Sequence, residues 1–130
     1  MAAFVTTHRL RFNDTDGLGH VNNAVFAVML EQGRSELAVE AGLPMGRDGQ
    51  ALVIVRLELD FVREMAWPGD VRIETWLARL GGRSFTMGQQ LIHGGEVCAR
   101  AQTVLVVMDR ESKRAVSIDP WRERLAAFEA

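Results

Sequence analysis

Residues 4–12, FVTTHRLRF, alternate with period two: Phe4, Thr6, His8, Leu10 and Phe12 share one face, and Val5, Thr7, Arg9 and Arg11 the other. That is the pattern of a half-buried strand. Residues 13–23, NDTDGLGHVNN, break it with Asp, Asn and Gly, which form turns and helix caps. The stretch is too polar for a core and too long for a tight turn. A loop fixed between a strand and a helix is a common place for function. Over residues 23–41 the spacing becomes three-to-four: Phe26, Met29, Leu30, Gly33, Leu37 and Ala41 form one stripe. This predicts one long helix, with Asn22 or Asn23 as N-cap and Gly42 and Pro44 as the stop. Its first half, AVFAVML, is apolar almost all round and must be covered on most sides.

After the helix the period returns to two. In Leu52–Val62 the residues Val53, Val55, Leu57, Leu59 and Phe61 fall on one face, and Ile54, Arg56, Glu58 and Asp60 on the other. Pro68-Gly69-Asp70 reads as a turn, Val71–Leu80 as a strand, Gly81-Gly82 as a hairpin turn and Ser84–Ile92 as a strand. Gly94-Gly95 turns the chain again into a long strand over Glu96–Met108. Strands joined by two-glycine turns are antiparallel neighbours. Asp109–Arg114 reads as a turn, Ala115–Ile118 as a short strand, and Trp121–Phe128 as a terminal helix with Asp119 as N-cap and Pro120 at its first position. The order is strand, loop, helix, then four strands in a meander, an α+β arrangement in which an antiparallel sheet of about five strands curls around one helix.

The 130 residues suit a single domain, residues 1–130, with no internal repeat, low-complexity tract or linker. Hydrophobic residues at 48% and charged residues at 25% allow a sizeable core. A net charge of -2 and a pI near 5.9 argue against a nucleic-acid partner. No apolar run approaches the ~18 residues of a membrane span, and Met1–Thr7 does not resemble a signal peptide. The one cysteine, Cys98, excludes an intramolecular disulfide and fits a cytoplasmic location; it sits in an apolar strand, where a small buried hydrophobe is the plainer reading.

Candidate chemistry concentrates in the loop, where Asp14, Asp16, His20, Asn22 and Asn23 lie within ten residues. As a metal site it fails the EF-hand pattern, which ends on a Glu, and it lacks the further His or Cys ligands of a zinc site. A purely structural role accounts for Asn22 or Asn23 as cap and for Gly17 and Gly19 as turn residues. It accounts less well for two Asp and a His just ahead of an apolar helix. A third role is hydrolysis: free N–H groups at the helix start polarise a carbonyl, and a nearby carboxylate attacks it or activates a water. A thioester suits this arrangement, since its carbonyl is electrophilic and its leaving group is a thiolate. No GxSxG elbow is present.

The segment RFNDTDGLGHVNNAVFAVMLEQGRSEL, Arg11 to Leu37, resembles the opening motif of the hotdog-fold thioesterases, in the branch of 4-hydroxybenzoyl-CoA thioesterase and its acyl-CoA thioesterase relatives. Their pattern is roughly an aromatic residue, D-x-D-x-x-G-H-V-N-N, and a further aromatic. The resemblance implies an acyl-CoA substrate, no cofactor, and Asp16 as the carboxylate that attacks the thioester or activates water. It implies that backbone N–H groups near Asn23 hold the thioester oxygen, that His20 orients or stabilises substrate, and that Asn22 fixes the loop or touches substrate. Phe26 stands where a Tyr is common, keeping the ring without the hydroxyl. Leu18 stands where plant acyl-carrier-protein thioesterases place an Asn. Family members are homodimers that pair sheets edge to edge, often forming homotetramers, with active sites at the dimer interface. Basic residues there meet the coenzyme A phosphates; Arg63, Arg79 and Arg83 are the candidates, each also readable as a solvated surface residue. Ser84 falls at a strand start often near ligand. Glu31, on the helix, is a second candidate carboxylate, because another branch uses a helix Glu. Hydrolysis of an acyl-carrier-protein thioester and a non-catalytic acyl-binding role are the alternatives.

Overall fold

The computed structural model describes residues 3–130. Five strands, β1 (Phe4–Arg9), β2 (Gln50–Phe61), β3 (Asp70–Leu80), β4 (Ser84–His93) and β5 (Glu96–Asp109), form one antiparallel sheet in the order β1-β3-β4-β5-β2. The helix α1 (Asn23–Glu40) lies across the sheet over β1, β3 and β4, and a short helix α2 (Arg122–Ala126) closes one end. This is the hotdog arrangement that the motif implies.

The buried face of α1 holds Phe26, Met29, Leu30, Gly33 and Leu37, with Ala41 just beyond its end, as the three-to-four spacing predicts. The Asn22 side chain caps the helix by accepting the Ala24 N–H at 2.9 Å. Gly42, at φ 75°, supplies the left-handed residue that ends it. The core divides along α1. One part, toward the loop, packs Phe26, Met29 and Leu30 against Val71, Ile73 and Leu91. The other packs Leu37 and Ala41 against Leu77, Phe85 and Leu125 of α2. Cys98 is buried in the first part.

Five expectations change. β2 does not continue a meander into β3; it crosses to the far edge and pairs with β5. Nothing in its alternation fixes which edge it joins. A bulge between Ile54 and Arg56 then reverses the facing of its first half. Leu52 and Ile54 lie opposite Val107 and Leu105, on the same face as Leu57 and Leu59 opposite Thr103 and Ala101. Val53 and Val55 are therefore not on that face. The first strand ends at Arg9 because the chain turns through a 3-10 segment, Phe12–Asp14, which leaves Phe12 exposed with its ring edge on Trp67. At the other end Ala115 makes only an isolated bridge with Met108. The Asp119–Trp121 turn takes Ile118 rather than Asp119 as its cap, and the helix proper is Arg122–Ala126.

Candidate active site

The loop between β1 and α1 folds as a tight antiparallel pair. The Asp16 N–H donates to the His20 carbonyl (2.9 Å), the Asn22 N–H donates to the Asp14 carbonyl (2.8 Å), and Thr15 faces Val21. Gly17 and Gly19, both at φ 90°, make the reversal, a backbone that L side chains rarely adopt. The far side of the loop is pinned to the β2–β3 connection. The Val21 N–H donates to the Met65 carbonyl (2.8 Å), and the Trp67 N–H to the Gly19 carbonyl (3.1 Å).

The two aspartates have separate environments. Asp14 is buried, accepting the Arg11 N–H (2.9 Å), the Arg11 guanidinium (3.0 Å) and the His8 ring (2.9 Å). Burial works to raise its pKa, but these donors outweigh it and hold the carboxyl down at about 2. Asp16 is exposed. Its Oδ1 accepts the Leu18 N–H at 2.8 Å, and no hydrogen bond among the described residues engages its other oxygen.

At the start of α1 the free donors reduce to one. Ala24 N–H is capped by the Asn22 side chain, and Val25 N–H donates to the Asn22 carbonyl (2.9 Å). Among the described residues the Asn23 N–H has no acceptor, and Asn23 is exposed. Asp16 and Asn23 are both exposed, so a carboxyl oxygen without a partner and an unused helix N–H open to solvent on one loop.

His20 sits beside this pair, its Nε2 3.4 Å from the Glu64 carboxylate. Arg63 is held by Glu96 at 2.7 Å. Phe26, the substrate-contacting position that the resemblance implies, is instead buried with its ring edge on Phe61 (5.1 Å between centroids), and Phe61 is half exposed. Arg79, Arg83 and Ser84 lie at the other end of the sheet, around the β3–β4 turn. The eleven residues of β3 separate that turn from the loop by about 33 Å. A single chain does not bring them to Asp16. In the sequence, charge and alternation mark Glu64 as a surface residue and Phe61 as a strand residue; only the β2–β3 connection's return to the loop brings them near it. Among the described residues no three His, Cys, Asp or Glu side chains are grouped to hold a metal ion.

A family model, thioesterase-like superfamily, matches residues 10–127. The chain belongs to the thioesterase-like superfamily. It is similar to the solved structure of a predicted thioesterase from Bacillus stearothermophilus, with 32% identity over 99% of this chain and 98% of the other at a TM-score of 0.89. The PA5185 protein of Pseudomonas aeruginosa superposes with a TM-score of 0.88 and 26% identity, covering 98% of this chain and 92% of that one. Slr0204, a 1,4-dihydroxy-2-naphthoyl-CoA thioesterase of Synechocystis, shares the fold at a TM-score of 0.84 with 18% identity over 96% of each chain. The protein is accordingly a thioesterase on the hotdog scaffold. No helix of the described residues is long and apolar enough to cross a membrane.

Proposed function

We propose that this thioesterase hydrolyses acyl-CoA thioesters, with Asp16 as the reacting carboxylate and the Asn23 N–H as the donor to the thioester oxygen. The observation that carries the reading is the helix start. Every neighbouring donor is used, and the one left free is exposed on the same loop as the carboxylate that the motif marks. In the reaction the thioester oxygen accepts the Asn23 N–H and gains negative charge as the carbonyl carbon is attacked. Asp16 supplies the attack directly, forming an anhydride that water then cleaves, or takes a proton from the water that attacks. The carbon–sulfur bond breaks and coenzyme A leaves as the thiolate, which is then protonated. His20, held toward Glu64, orients substrate. Slr0204 acts on a coenzyme A thioester on the same fold.

The site works as a homodimer. β2 is an edge strand with its outer backbone unpaired, and Ile54, Leu57 and Phe61 leave apolar surface open beside it. Antiparallel pairing of β2 with its copy about a two-fold axis sets the Gln50 end of one strand against the Phe61 end of the other. That carries the partner copy's Arg83 and Ser84 to the end of the sheet where Asp16 lies, and covers a loop that one chain leaves open.

The test is thiol release from a panel of acyl-CoAs, aliphatic and aromatic, beside the same acyl groups on an acyl carrier protein. Turnover of at least one acyl-CoA faster than its carrier-protein counterpart is expected. Release only from the carrier protein, or from neither, overturns the substrate assignment.

A further inference from the structure

His93, the last residue of β4, sets its ring against the turn that joins β2 to β3. Its Nδ1 lies 2.9 Å from the Asp70 carbonyl oxygen and its Nε2 3.0 Å from the Ala66 carbonyl oxygen. The ring packs on Gly69, which lies between those two residues: a Cβ there would fall 2.9 Å from His93 Cε1. A carbonyl oxygen only accepts hydrogen bonds. A neutral imidazole has one N–H and one bare nitrogen, so it satisfies one of these oxygens and turns a lone pair on the other. The imidazolium donates to both, and its charge strengthens each bond.

That turn supports the Asp16 hairpin on both flanks. The Val21 N–H donates to the Met65 carbonyl, the Trp67 N–H to the Gly19 carbonyl, and the Leu10 N–H, ahead of the loop, to the Gly69 carbonyl (2.9 Å). Ala66, whose carbonyl meets His93, faces His20, whose carbonyl holds the Asp16 N–H. The charged groups around the ring are engaged elsewhere. Glu96, opposite His93 across the β4–β5 turn, is held by Arg63 at 2.7 Å. Asp70 lies 3.6 Å from Arg9, Glu64 lies 3.4 Å from His20, and Arg72, beside Ile92, is bonded to Glu74 at 3.0 Å. The Cys98 thiol, near the His93 backbone, donates to the Glu96 carbonyl, and burial pushes its pKa up. No ion pair among the described residues includes His93.

We propose, on the reading that Asp16 is the reacting carboxylate, that His93 is a positioning residue for the hydrolysis: as an imidazolium it ties Ala66 to Asp70 and so fixes the turn on which the Asp16 hairpin rests. Loss of the ring proton releases one of the two carbonyls, and the turn and the hairpin bonded to it drift from the reactive geometry. Histidine is the side chain whose charge changes near neutral pH. The tie is therefore present on the acid side of the ring's titration and lost on the alkaline side. His93 touches no reacting atom. Its proton acts on how well the Asp16 carboxylate is placed, which moves kcat and leaves KM nearly unchanged.

The experiment measures kcat and KM with one acyl-CoA between about pH 5 and 9, across the range in which an imidazole titrates, in wild type, His93→Gln and His20→Ala. Circular dichroism checks each variant's fold, and long-range 1H–15N spectra follow the rings of the three histidines. In wild type the His93 ring carries both protons at the acid end and loses one as pH rises. The Asp16, Val21 and Trp67 amide signals move with it. Over the same pH range kcat falls about threefold to tenfold, the scale of one lost hydrogen bond, with KM changed by less than about twofold. His93→Gln keeps a donor but cannot titrate, so its kcat starts lower and lacks that fall, whereas His20→Ala keeps the fall. A fall that persists in His93→Gln, or a His93 ring that is neutral throughout, overturns the proposal while leaving thioester hydrolysis intact. If no acyl-CoA is turned over, the wild-type spectra decide: hairpin amide signals that follow the His93 ring support the tie, and signals that ignore it refute it. The same spectra decide should His93→Gln fail to fold.

Discussion

Asp14 and Asp16 stand two residues apart in the same loop, one buried and one exposed. Asp14 is withdrawn into the fold by His8 and Arg11, and its ionised form is favoured by three donors. Its carboxyl ionises at about 2 in the folded chain, below its ordinary value of 3.8. Between those values the unfolded chain therefore binds more protons than the folded one, so stability rises with pH through that window and is complete above it. Asp14→Asn is expected to cost about 2 kcal/mol at neutral pH. The gap between wild type and variant should close as pH falls from about 4 to 2, which denaturant titrations across that range check. A gap that stays constant with pH would show that the loss is steric rather than electrostatic. The motif marks both aspartates in the sequence. Which of them is buried depends on His8, six residues away on β1, and no local pattern shows that distance closing.

At the scale of elements, the helix was legible nearly to the residue because apolar spacing, an Asn cap and a Gly stop agree on it. Gly33 shows what spacing alone cannot say. It is buried where α1 crosses β3, and a Cβ there would fall 2.6 Å from Ile73 Cγ2 and 2.9 Å from Thr75 Oγ1. Alanine is the better helix former by about 1 kcal/mol, but overpacking against a strand's buried side chains costs typically 1–3 kcal/mol, roughly. Gly33→Ala is expected to lower stability by about 1 kcal/mol or more, measured by thermal or chemical unfolding; a gain would mean that α1 can lift from β3 without penalty. β2 was legible as a strand but not in its facing. One bulge residue inverts the alternation of half the strand, and an edge strand open on its apolar side has no burial to enforce the simpler pattern.

At the scale of the whole molecule, the single chain leaves its candidate site unfinished: the loop is open, the sheet edge beside it is unpaired, and Arg83 and Ser84 lie at the far end. These features belong together if two copies join along β2. Sedimentation should then give twice the chain mass of 14.5 kDa, and Leu57→Asp, which sets a charge in the open apolar surface, should yield monomers with thioester hydrolysis reduced at least tenfold. A wild-type monomer with full activity would remove the partner copy from the mechanism. The sequence motif points to such an assembly only through resemblance, because no pattern within one chain states which edge of a sheet meets another copy.

The most direct measurement is the rate of thiol release by Asp16→Asn with the best acyl-CoA substrate, beside wild type and His20→Ala at equal folded concentration. The substitution keeps the side chain's shape and its acceptor for the Leu18 N–H while removing the negative charge. A fall of at least about a hundredfold for Asp16→Asn is predicted, with a smaller fall for His20→Ala. Wild-type turnover by Asp16→Asn would contradict the account at its centre.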